Sequence, residues 1–290
     1  MGKIIIRVPA TVSNLGPGIN SFGLALHLYY TVIVEEETDY WRVNHALGEN
    51  IPHDENNLIV QTILNLDPKI HPHQLTVMSD IPVEHGLGSS TTAVIVGIKI
   101  ANALGDLKLS IDDQMQIANK MERHSENVAA GFLGELTVSQ VHNEKLTAIK
   151  TKMPDISALM FIMPRGKVGK IELPTQIDSQ TALANSNDAN LLLAALMTDN
   201  WPVASTLIEG RYFGEQNLKR DQDNLDLIQT AAHALGIYGT FISGSGPVIV
   251  SLGKRDELIK LRDQLRTDKR LEGKVRVMAL DREGATVRGE

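Results

Sequence analysis

The five residues Gly86-Leu87-Gly88-Ser89-Ser90 place two glycines and two hydroxyl side chains directly before a segment with helical apolar spacing. Glycine lets backbone N–H groups approach a ligand closely, and the first N–H groups of a helix have no partner within it. With the helix dipole, such a turn attracts phosphate, and the serines add oxygen ligands for phosphate or magnesium. A helix that is simply capped by a serine explains this segment alone equally well.

The turn does not match the two best-known phosphate motifs. No G-x-x-x-x-G-K-[ST] pattern occurs in the chain, and Thr91 stands where a dinucleotide fingerprint requires its third glycine. Two further glycine clusters occur, NLGPG at residues 14–18 and SGSGP at residues 243–247. Three such clusters together are a more specific signal than one glycine turn.

The composition excludes several classes of site and partner. The 290 residues contain no cysteine, which rules out disulfides, cysteine-ligated metal clusters and thiol nucleophiles. The net charge of −7 disfavours a nucleic-acid or membrane-surface binder, because both need a basic face. No apolar run has the length of a signal peptide or a membrane span. We therefore expect a soluble intracellular protein that binds neither nucleic acid nor membrane.

The pattern of apolar residues predicts a mixed α and β fold. Runs rich in β-branched residues predict strands at residues 3–8, 28–37, 74–79, 136–141, 156–163, 247–252 and 275–280. Helical spacing predicts helices at residues 56–66, 89–104, 110–124, 189–197, 224–235 and 256–266. Residues 175–188 are polar and predict a loop. The strands do not alternate strictly with helices, which disfavours a doubly wound sheet, and a domain seam is expected at residues 150–154.

Three segments carry a resemblance to a known family. PATVSNLGPGINSFGLAL (residues 9–26), PVEHGLGSSTTA (residues 82–93) and SGSGP resemble the three motifs of the GHMP small-molecule kinases, in the same order. The first of them, with ERHSENVAA (residues 122–130) and GEL (residues 134–136), is most similar to the homoserine kinases. The resemblance implies a two-domain α/β fold of the α+β type. An N-terminal ATP-binding domain would span residues 1–152, and a C-terminal ferredoxin-like α/β domain residues 153–290, with the active site between them.

The resemblance also implies ATP and Mg²⁺ as cofactors. It places the following residues at the nucleotide: Pro82, Glu84, His85, Gly86, Leu87, Gly88, Ser89, Ser90, Thr91, Gly244, Ser245 and Gly246. Ser90 and Glu122 would hold the magnesium ion. On this interpretation, the glycine turn is a phosphate cradle and a helix cap at once.

The acceptor implied by the resemblance is a small alcohol, L-homoserine. Homoserine kinases resemble one another in lacking a catalytic aspartate, so the substrate hydroxyl would attack the γ-phosphate directly. The implied catalytic residues are Asn14, Glu122, His124 and Asn127. The implied substrate-binding residues are Asn14, Asn20, His124, Asn127, Lys170 and Arg220. The resemblance further implies a homodimer in the cytoplasm.

Several of these residues have simpler explanations. Asn14 could hydrogen-bond only its own turn, and Glu122 could be a solvated carboxylate at a helix end. Gly244 and Gly246 could serve close packing as well as ligand contact. His124 lies two residues from Glu122 and from Glu126, and residues at this spacing on one helix do not face each other, which disfavours a histidine-liganded metal.

The chain departs from the family pattern at the expected ends of homoserine. Asn20 stands where the family usually has aspartate, Lys170 where it usually has arginine, and Arg220 is displaced from a further arginine position. We therefore entertain the hypothesis that the acceptor site has drifted, giving a slow homoserine kinase or one for a different small alcohol. The alternative is that Arg165, Lys167 or Arg220 binds the substrate carboxylate after local rearrangement.

Two further functions are compatible with the motifs. One is a kinase for another hydroxylated metabolite, such as an isoprenoid precursor or a sugar, although the aspartate base and lysine of those relatives have no evident counterpart in the sequence. The other is a non-catalytic nucleotide-binding sensor. The combination of Ser90, Glu122 and Asn127 argues against a sensor, because a sensor needs neither magnesium nor an aligned hydroxyl.

Overall fold

The computed structural model describes residues 2–164, 174–210, 222–244 and 246–289, which contain eleven strands and eight helices. The strands are β1 (Ile4–Ser13), β2 (Phe22–Glu37), β3 (Arg42–Asn44), β4 (His73–Ser79), β5 (Leu136–His142), β6 (Lys145–Thr151), β7 (Ser157–Ile162), β8 (Thr240–Ser243), β9 (Val248–Gly253), β10 (Lys274–Ala279) and β11 (Thr286–Gly289). The helices are α1 (Leu58–Leu66), α2 (Ser89–Leu104), α3 (Ile111–Glu122), α4 (Ser125–Leu133), α5 (Ser179–Met197), α6 (Trp201–Ile208), α7 (Gln222–His233) and α8 (Arg255–Thr267).

The first sheet is built around the long strand β2. Its order is β11-β1-β2-β4-β3, and β5 pairs with the N-terminal end of β2 while β6 pairs with β5. All of these pairs are antiparallel except β3 with β4. The register of β1 against β2 shifts between Pro9 and Ala10, where proline cannot donate to the ladder. Strand β1 packs against helices α2 and α4.

The second sheet is antiparallel, with the order β10-β7-β9-β8. Strands β7 and β9 at its centre are almost entirely buried, which explains their continuous apolar runs. One buried cluster contains residues of both sheets, such as Ile6 and Val8 of β1 with Met160 of β7 and Val250 of β9. A second cluster packs α7 and α8 on the other face, through residues such as Ile228 and Leu261.

The mixed α and β fold expected from the sequence is confirmed, as is the mismatch with a doubly wound sheet. The suggested border between residues 152 and 153 falls between β6 and β7, at the change from the first sheet to the second. The last strand, β11, nevertheless returns to pair with β1. The division into two domains at this border stays a proposal. Among the described helices, none has the length and apolar character needed to cross a membrane.

Two sequence-based element predictions are wrong. Residues 175–188 are not a loop throughout, because α5 begins at Ser179 with Asp178 as its N-cap, accepting from the Thr181 N–H at 2.9 Å. Only Leu192, Ala195 and Leu196 of α5 are buried, so its polar first half carries no apolar periodicity. The helix predicted for residues 110–124 ends at Glu122, since Arg123 adopts φ 58°, and α4 follows at once.

A capping box is present at the start of α3. The Ser110 Oγ accepts from the Asp113 N–H at 3.1 Å, and the Asp113 carboxylate accepts from the Ser110 N–H at 3.1 Å. These bonds satisfy backbone donors that the first turn cannot pair internally, and they fix where α3 begins. Twelve residues later the helix delivers Glu122 to the site.

Candidate active site

The glycine turn before α2 adopts a conformation and a packing that require glycine. Gly86 and Gly88 both have φ +69°, in the left-handed region. A Cβ atom at Gly88 would lie 2.2 Å from the Thr11 Oγ1, and one at Gly86 would lie 2.9 Å from the carbonyl oxygens of Ser243 and Gly246. Both separations are too short for real atoms, so the two glycines let three chain segments meet here.

The N-terminus of α2 is open to a ligand. Gly88 holds the N-cap position and has no side chain to cap with, so the serine cap considered as an alternative does not occur. Within the described ranges, no acceptor pairs with the N–H groups of Ser89, Ser90 and Thr91. Together with the helix dipole, these three donors give the turn a partial positive charge suited to a phosphate group.

Glu122 is brought directly to this helix end. Its Oε1 accepts from the Ser90 Oγ at 2.7 Å, and its Oε2 accepts from the Thr91 Oγ1 at 2.9 Å. Both carboxylate oxygens therefore face α2, which differs from the solvated helix-end carboxylate considered as an alternative. Carboxylate and hydroxyl oxygens are ligands that Mg²⁺ accepts, with water and substrate phosphate completing the shell. Among the described residues, no cluster of three His, Asp or Glu side chains could hold a metal alone.

Asn127 lies in the first turns of α4, with both ends of its amide engaged. Its Oδ1 accepts from the Thr11 Oγ1 at 2.9 Å, and its Nδ2 donates to the Glu126 Oε1 at 3.3 Å. Glu126 is only 3% exposed, and burial raises the pKa of its carboxyl. Sequence reasoning named Asn127, considered Glu126 only as a metal ligand beside His124, and missed Thr11. Thr11 lies beyond the strand predicted at residues 3–8, and its place in the segment PATVSNLGPG was the available signal for it.

The loop between β1 and β2 approaches the start of α4. Asn14 has φ 65°, and its Oδ1 accepts from the Asn20 N–H at 3.0 Å, so this oxygen bonds within its own loop. The Ser125 Oγ donates to the Asn20 carbonyl oxygen at 3.5 Å, linking the loop to α4. The structure thus brings Asn14, Asn20 and Asn127 to neighbouring segments. The Asn20 side chain is exposed.

His124 occupies the break between α3 and α4, as the N-cap residue of α4. It is 63% exposed, and its Nδ1 lies 3.7 Å from the Glu126 Oε1. The sequence predicted one helix from residue 110 to His124, and the break at Arg123 corrects this. A left-handed residue that is neither glycine nor asparagine carries no strong signal, which is why the sequence did not reveal it.

The third glycine cluster packs against the glycine turn. The Ser243 Oγ donates to the Gly86 carbonyl oxygen at 2.9 Å, and the Gly244 N–H donates to the Ser13 carbonyl oxygen at 3.4 Å. The Gly246 N–H donates to the Ser243 carbonyl oxygen at 3.0 Å, before a cis peptide bond to Pro247. The contacts shown by the described residues are therefore packing contacts between the second sheet and the turn.

A cavity of about 610 Å³ adjoins the segment that leads into the turn. Pro82, Val83 and His85 line one wall, and Met163 and Pro164 at the end of β7 line another. The His85 Nδ1 lies 2.6 Å from the Val83 carbonyl oxygen, and Glu84, with φ 59°, is exposed beside it. The lining also includes the charged residues Asp80, Lys274 and Arg276, so the pocket beside the turn is partly apolar and partly polar. A pocket of this kind can hold a flat ring attached to phosphates.

Several predicted site residues lie outside the described residues. These are Lys170, Arg220 and Ser245, together with Arg165 and Lys167, which were the alternatives for a carboxylate-binding role. The hypothesis of a drifted acceptor site therefore stays a prediction, supported by residue identity alone.

The chain is similar to known proteins over nearly its whole length. The model of the GHMP kinases N terminal domain matches residues 57–135. A homoserine kinase from Lactiplantibacillus plantarum is 37% identical over 287 residues, covering 98% of this chain and 99% of its own. A homoserine kinase from Listeria monocytogenes serotype 4a is 37% identical over 284 residues, covering 97% of each chain.

Solved structures agree as well. A structure of a Listeria monocytogenes chain described as homoserine kinase superimposes with a TM-score of 0.88 at 35% identity, covering 99% of this chain and 100% of its own. Mevalonate diphosphate decarboxylase from Staphylococcus aureus has a TM-score of 0.71 at 14% identity, over 99% of this chain and 98% of its own, and so shows the shared fold alone. The near full-length similarity and the glycine turn lead to one assignment: the chain belongs to the homoserine kinase family of the GHMP kinases.

Proposed function

We propose that the chain catalyses the ATP-dependent phosphorylation of L-homoserine to O-phospho-L-homoserine, a step in threonine biosynthesis. The observation that carries this proposal is 37% identity to homoserine kinases across nearly the whole of both chains. The site geometry supports it, because the open N-terminus of α2 and the Ser90–Glu122 pair match what phosphoryl transfer requires.

The nucleotide phosphates fit the turn at the start of α2. The N–H groups of Ser89, Ser90 and Thr91 supply donors, and Gly86 and Gly88 keep the turn free of side chains. Ser90 and Glu122 would hold Mg²⁺, which neutralises charge on the transferring phosphoryl group when it is bound. The cavity beside Pro82 and Val83 is the place we assign to the nucleoside.

The acceptor side contributes mainly positioning. The hydroxyl oxygen of homoserine bonds to the γ-phosphorus, the bond from that phosphorus to the bridging oxygen breaks, and ADP leaves. The hydroxyl proton passes to phosphate or solvent, because phosphoryl transfer places little covalent demand on the protein. Asn127 has a second amide N–H beyond the one bonded to Glu126, and this donor can orient the hydroxyl. Asn14 and the exposed His124 lie on the chain segments next to Asn127.

The family membership also supports two expectations, one about location and one about assembly. We expect a cytoplasmic protein that forms a homodimer, so light scattering should report twice the chain mass of 31.8 kDa. A value equal to the chain mass at micromolar concentration would contradict the dimer. Such a result would leave the proposed reaction unaffected, because the residues assigned to it lie in one chain.

The test is a coupled assay of ADP release with Mg-ATP and a panel of L-homoserine, L-serine, shikimate, mevalonate and galactose. We expect fast, saturable turnover on L-homoserine alone. Turnover on another alcohol, or on none while ATP still binds, would overturn the proposal. The first of these outcomes would favour a changed acceptor, and the second a nucleotide-binding sensor. Asn20, which bears no charge at the expected ammonium end, would then be the first residue to restore to aspartate.

A further inference from the structure

Thr11, near the end of β1, contacts both the glycine turn and α4. Its side chain is 1% exposed, and its Oγ1 donates to the Asn127 Oδ1 at 2.9 Å. The same oxygen fills the space that a Cβ at Gly88 would need. The Thr11 backbone N–H also donates to the Leu87 carbonyl oxygen at 3.2 Å. One buried residue therefore contacts both the turn that we assign to ATP and the asparagine that we assign to the substrate hydroxyl.

The side-chain amide of Asn127 has a hydrogen-bond partner at each end. In the structure the amide nitrogen donates to the Glu126 Oε1, and the hydroxyl of Thr11 satisfies the amide oxygen by donating its single hydrogen. A flipped amide would set its oxygen against the Glu126 Oε1 and lose that bond, although the Thr11 hydroxyl could then accept from the amide nitrogen. In the observed orientation, one Nδ2 hydrogen remains for a ligand.

We propose that Thr11 is a positioning residue for phosphoryl transfer. It holds the Asn127 amide so that its remaining N–H faces the acceptor hydroxyl, and it ties that amide to the turn that holds the phosphates. This inference rests on the proposed function and deepens it, since it names what aligns the two substrates. Thr11 itself touches neither reacting atom, because Asn127 and the backbone of the turn stand between.

Valine is nearly the same shape as threonine, so one substitution isolates the hydroxyl. The methyl Cγ2 of Thr11 faces Gly131 of α4, 3.9 Å from where a Cβ there would stand, and valine retains this group. Thr11→Val therefore removes the bond to Asn127 and preserves most of the packing, while Thr11→Ser keeps the hydroxyl. Thr240 in β8 offers a matched control, being 0% exposed with its Oγ1 donating to the Ser251 Oγ at 2.8 Å.

The first experiment separates positioning from a general structural effect. We expect Thr11→Val to lower kcat with L-homoserine by about 10- to 100-fold, as misplacement of an aligning group does. The Kd for Mg-ATP, measured by calorimetry, should change by less than about threefold, and Thr11→Ser should restore most of the rate. Thr240→Val should lose comparable thermal stability at unchanged kcat. Equal kcat for Thr11→Val and wild type would overturn the proposal. An equal decrease of kcat in Thr11→Val and Thr240→Val would also overturn it.

The second experiment asks whether Thr11 acts through Asn127. Adding Thr11→Val to Asn127→Ala should cost less than about twofold further in kcat, because the group being positioned is already gone. The proposal would be overturned if Thr11→Val lowered kcat in the Asn127→Ala background by as large a factor as it does in the wild-type background.

A third readout does not depend on the acceptor. The side-chain amide signal of Asn127, assigned by its loss in Asn127→Asp, should shift and exchange faster with solvent in Thr11→Val but not in Thr240→Val. Wild type that fails to phosphorylate homoserine would refute the proposed function, and an unchanged amide signal in Thr11→Val would separately refute the role of Thr11.

Discussion

At the scale of single residues, Gly88 and Glu122 control the two kinds of ligand that the turn would hold. Gly88 gives the backbone room, with its φ of +69° and the Thr11 hydroxyl beneath it. Glu122 supplies the negative charge, with both oxygens bonded to hydroxyls of the first turn of α2. Substitution of Gly88 should therefore change the affinity for the nucleotide, and substitution of Glu122 should change the dependence of the rate on Mg²⁺.

Gly88→Ala should weaken Mg-ATP binding by at least about tenfold, since a lost hydrogen bond to a charged group is worth about 1.5–3 kcal/mol. The added Cβ would collide with the Thr11 Oγ1 and displace the N–H groups of the turn. Gly236→Ala is the matched control, because Gly236 has φ +74° and nothing within 4 Å of its would-be Cβ. Both variants should pay about 1–2 kcal/mol of unfolding free energy for the backbone conformation, but only Gly88→Ala should lose ATP affinity in calorimetry. Equal affinities would contradict the steric explanation.

Glu122→Gln should lower kcat by about 100-fold and raise the Mg²⁺ concentration needed for half-maximal rate, because an amide is a much weaker ligand for the cation. Steady-state rates over a range of free Mg²⁺ would measure both effects. Glu144→Gln, at an exposed position in the turn between β5 and β6, should leave both quantities unchanged. A normal Mg²⁺ dependence in Glu122→Gln would remove Glu122 from the proposed metal site.

At the scale of elements, the site is set by where helices begin and end. The first turn of α2 supplies donors, the last residue of α3 supplies the carboxylate, and α4 supplies Asn127. Gly23 in β2 lets α4 lie close to the sheet, since a Cβ there would lie 2.0 Å from the Glu126 carbonyl oxygen. Capping residues stabilise helix ends. The cap of α3 at Ser110 should therefore contribute to the stability of the helix that carries Glu122, which lies about three turns away.

Ser110→Ala should lower the free energy of unfolding by about 1 kcal/mol at pH 7, the usual contribution of an N-cap serine. Hydrogen bonds from Ser110 hold the pKa of Asp113 below its ordinary value of 3.8. A depressed carboxyl pKa stabilises the fold above that ordinary value, and this contribution is lost as the pH falls through the folded-state pKa. The difference in unfolding free energy between wild type and Ser110→Ala should therefore become smaller below about pH 4. Urea unfolding at pH 7, 5 and 3 measures it, and a difference that widened on acidification would contradict this explanation.

At the scale of the whole molecule, the C-terminal segment returns to the first sheet. Asp281 is 4% exposed, and its Oδ1 accepts from the N–H groups of Glu283 at 3.1 Å and Gly284 at 2.7 Å. Its Oδ2 accepts from the Tyr29 OH at 2.7 Å, and burial, with this hydrogen bond, raises the pKa of Tyr29. Strand β11 follows and pairs with β1. The last residues of the second sheet are thus tied to the first.

Asp281→Ala should lower the free energy of unfolding by about 3 kcal/mol or more, because it leaves buried donors without their charged acceptor. Tyr29→Phe should cost less, about 1–2 kcal/mol, since it removes only one of these bonds. Asp39→Ala, at an exposed carboxylate, should change stability by less than about 0.5 kcal/mol. Urea titrations compare the three. The kcat of Asp281→Ala at low temperature should stay near that of wild type, and a large loss would indicate a role beyond anchoring.

Most of the regular elements were predictable because their signals are local. The apolar runs of β4, β5, β7 and β9 and the periodicity of α1, α2 and α8 lie within single segments. Helix α5 was not predictable in its first half, because its polar face looks to solvent and imposes no pattern. The break at Arg123 was missed for a related reason, since tertiary packing holds a left-handed residue that local preference disfavours.

The sequence by itself determined the glycine turn and its serines, because special backbone conformations restrict residue type strongly, and its resemblance to the GHMP kinases supplied the candidates Glu122 and Asn127. Only the tertiary structure decided that Gly88 and not a serine holds the N-cap of α2, that Glu122 bonds to Ser90, and that Thr11 bonds to Asn127. The partners in these two bonds lie 32 and 116 residues apart. Hydrogen-bond partners at such separations are determined by the packing of β1, α2, α3 and α4. Composition, spacing and local preference do not reveal that packing.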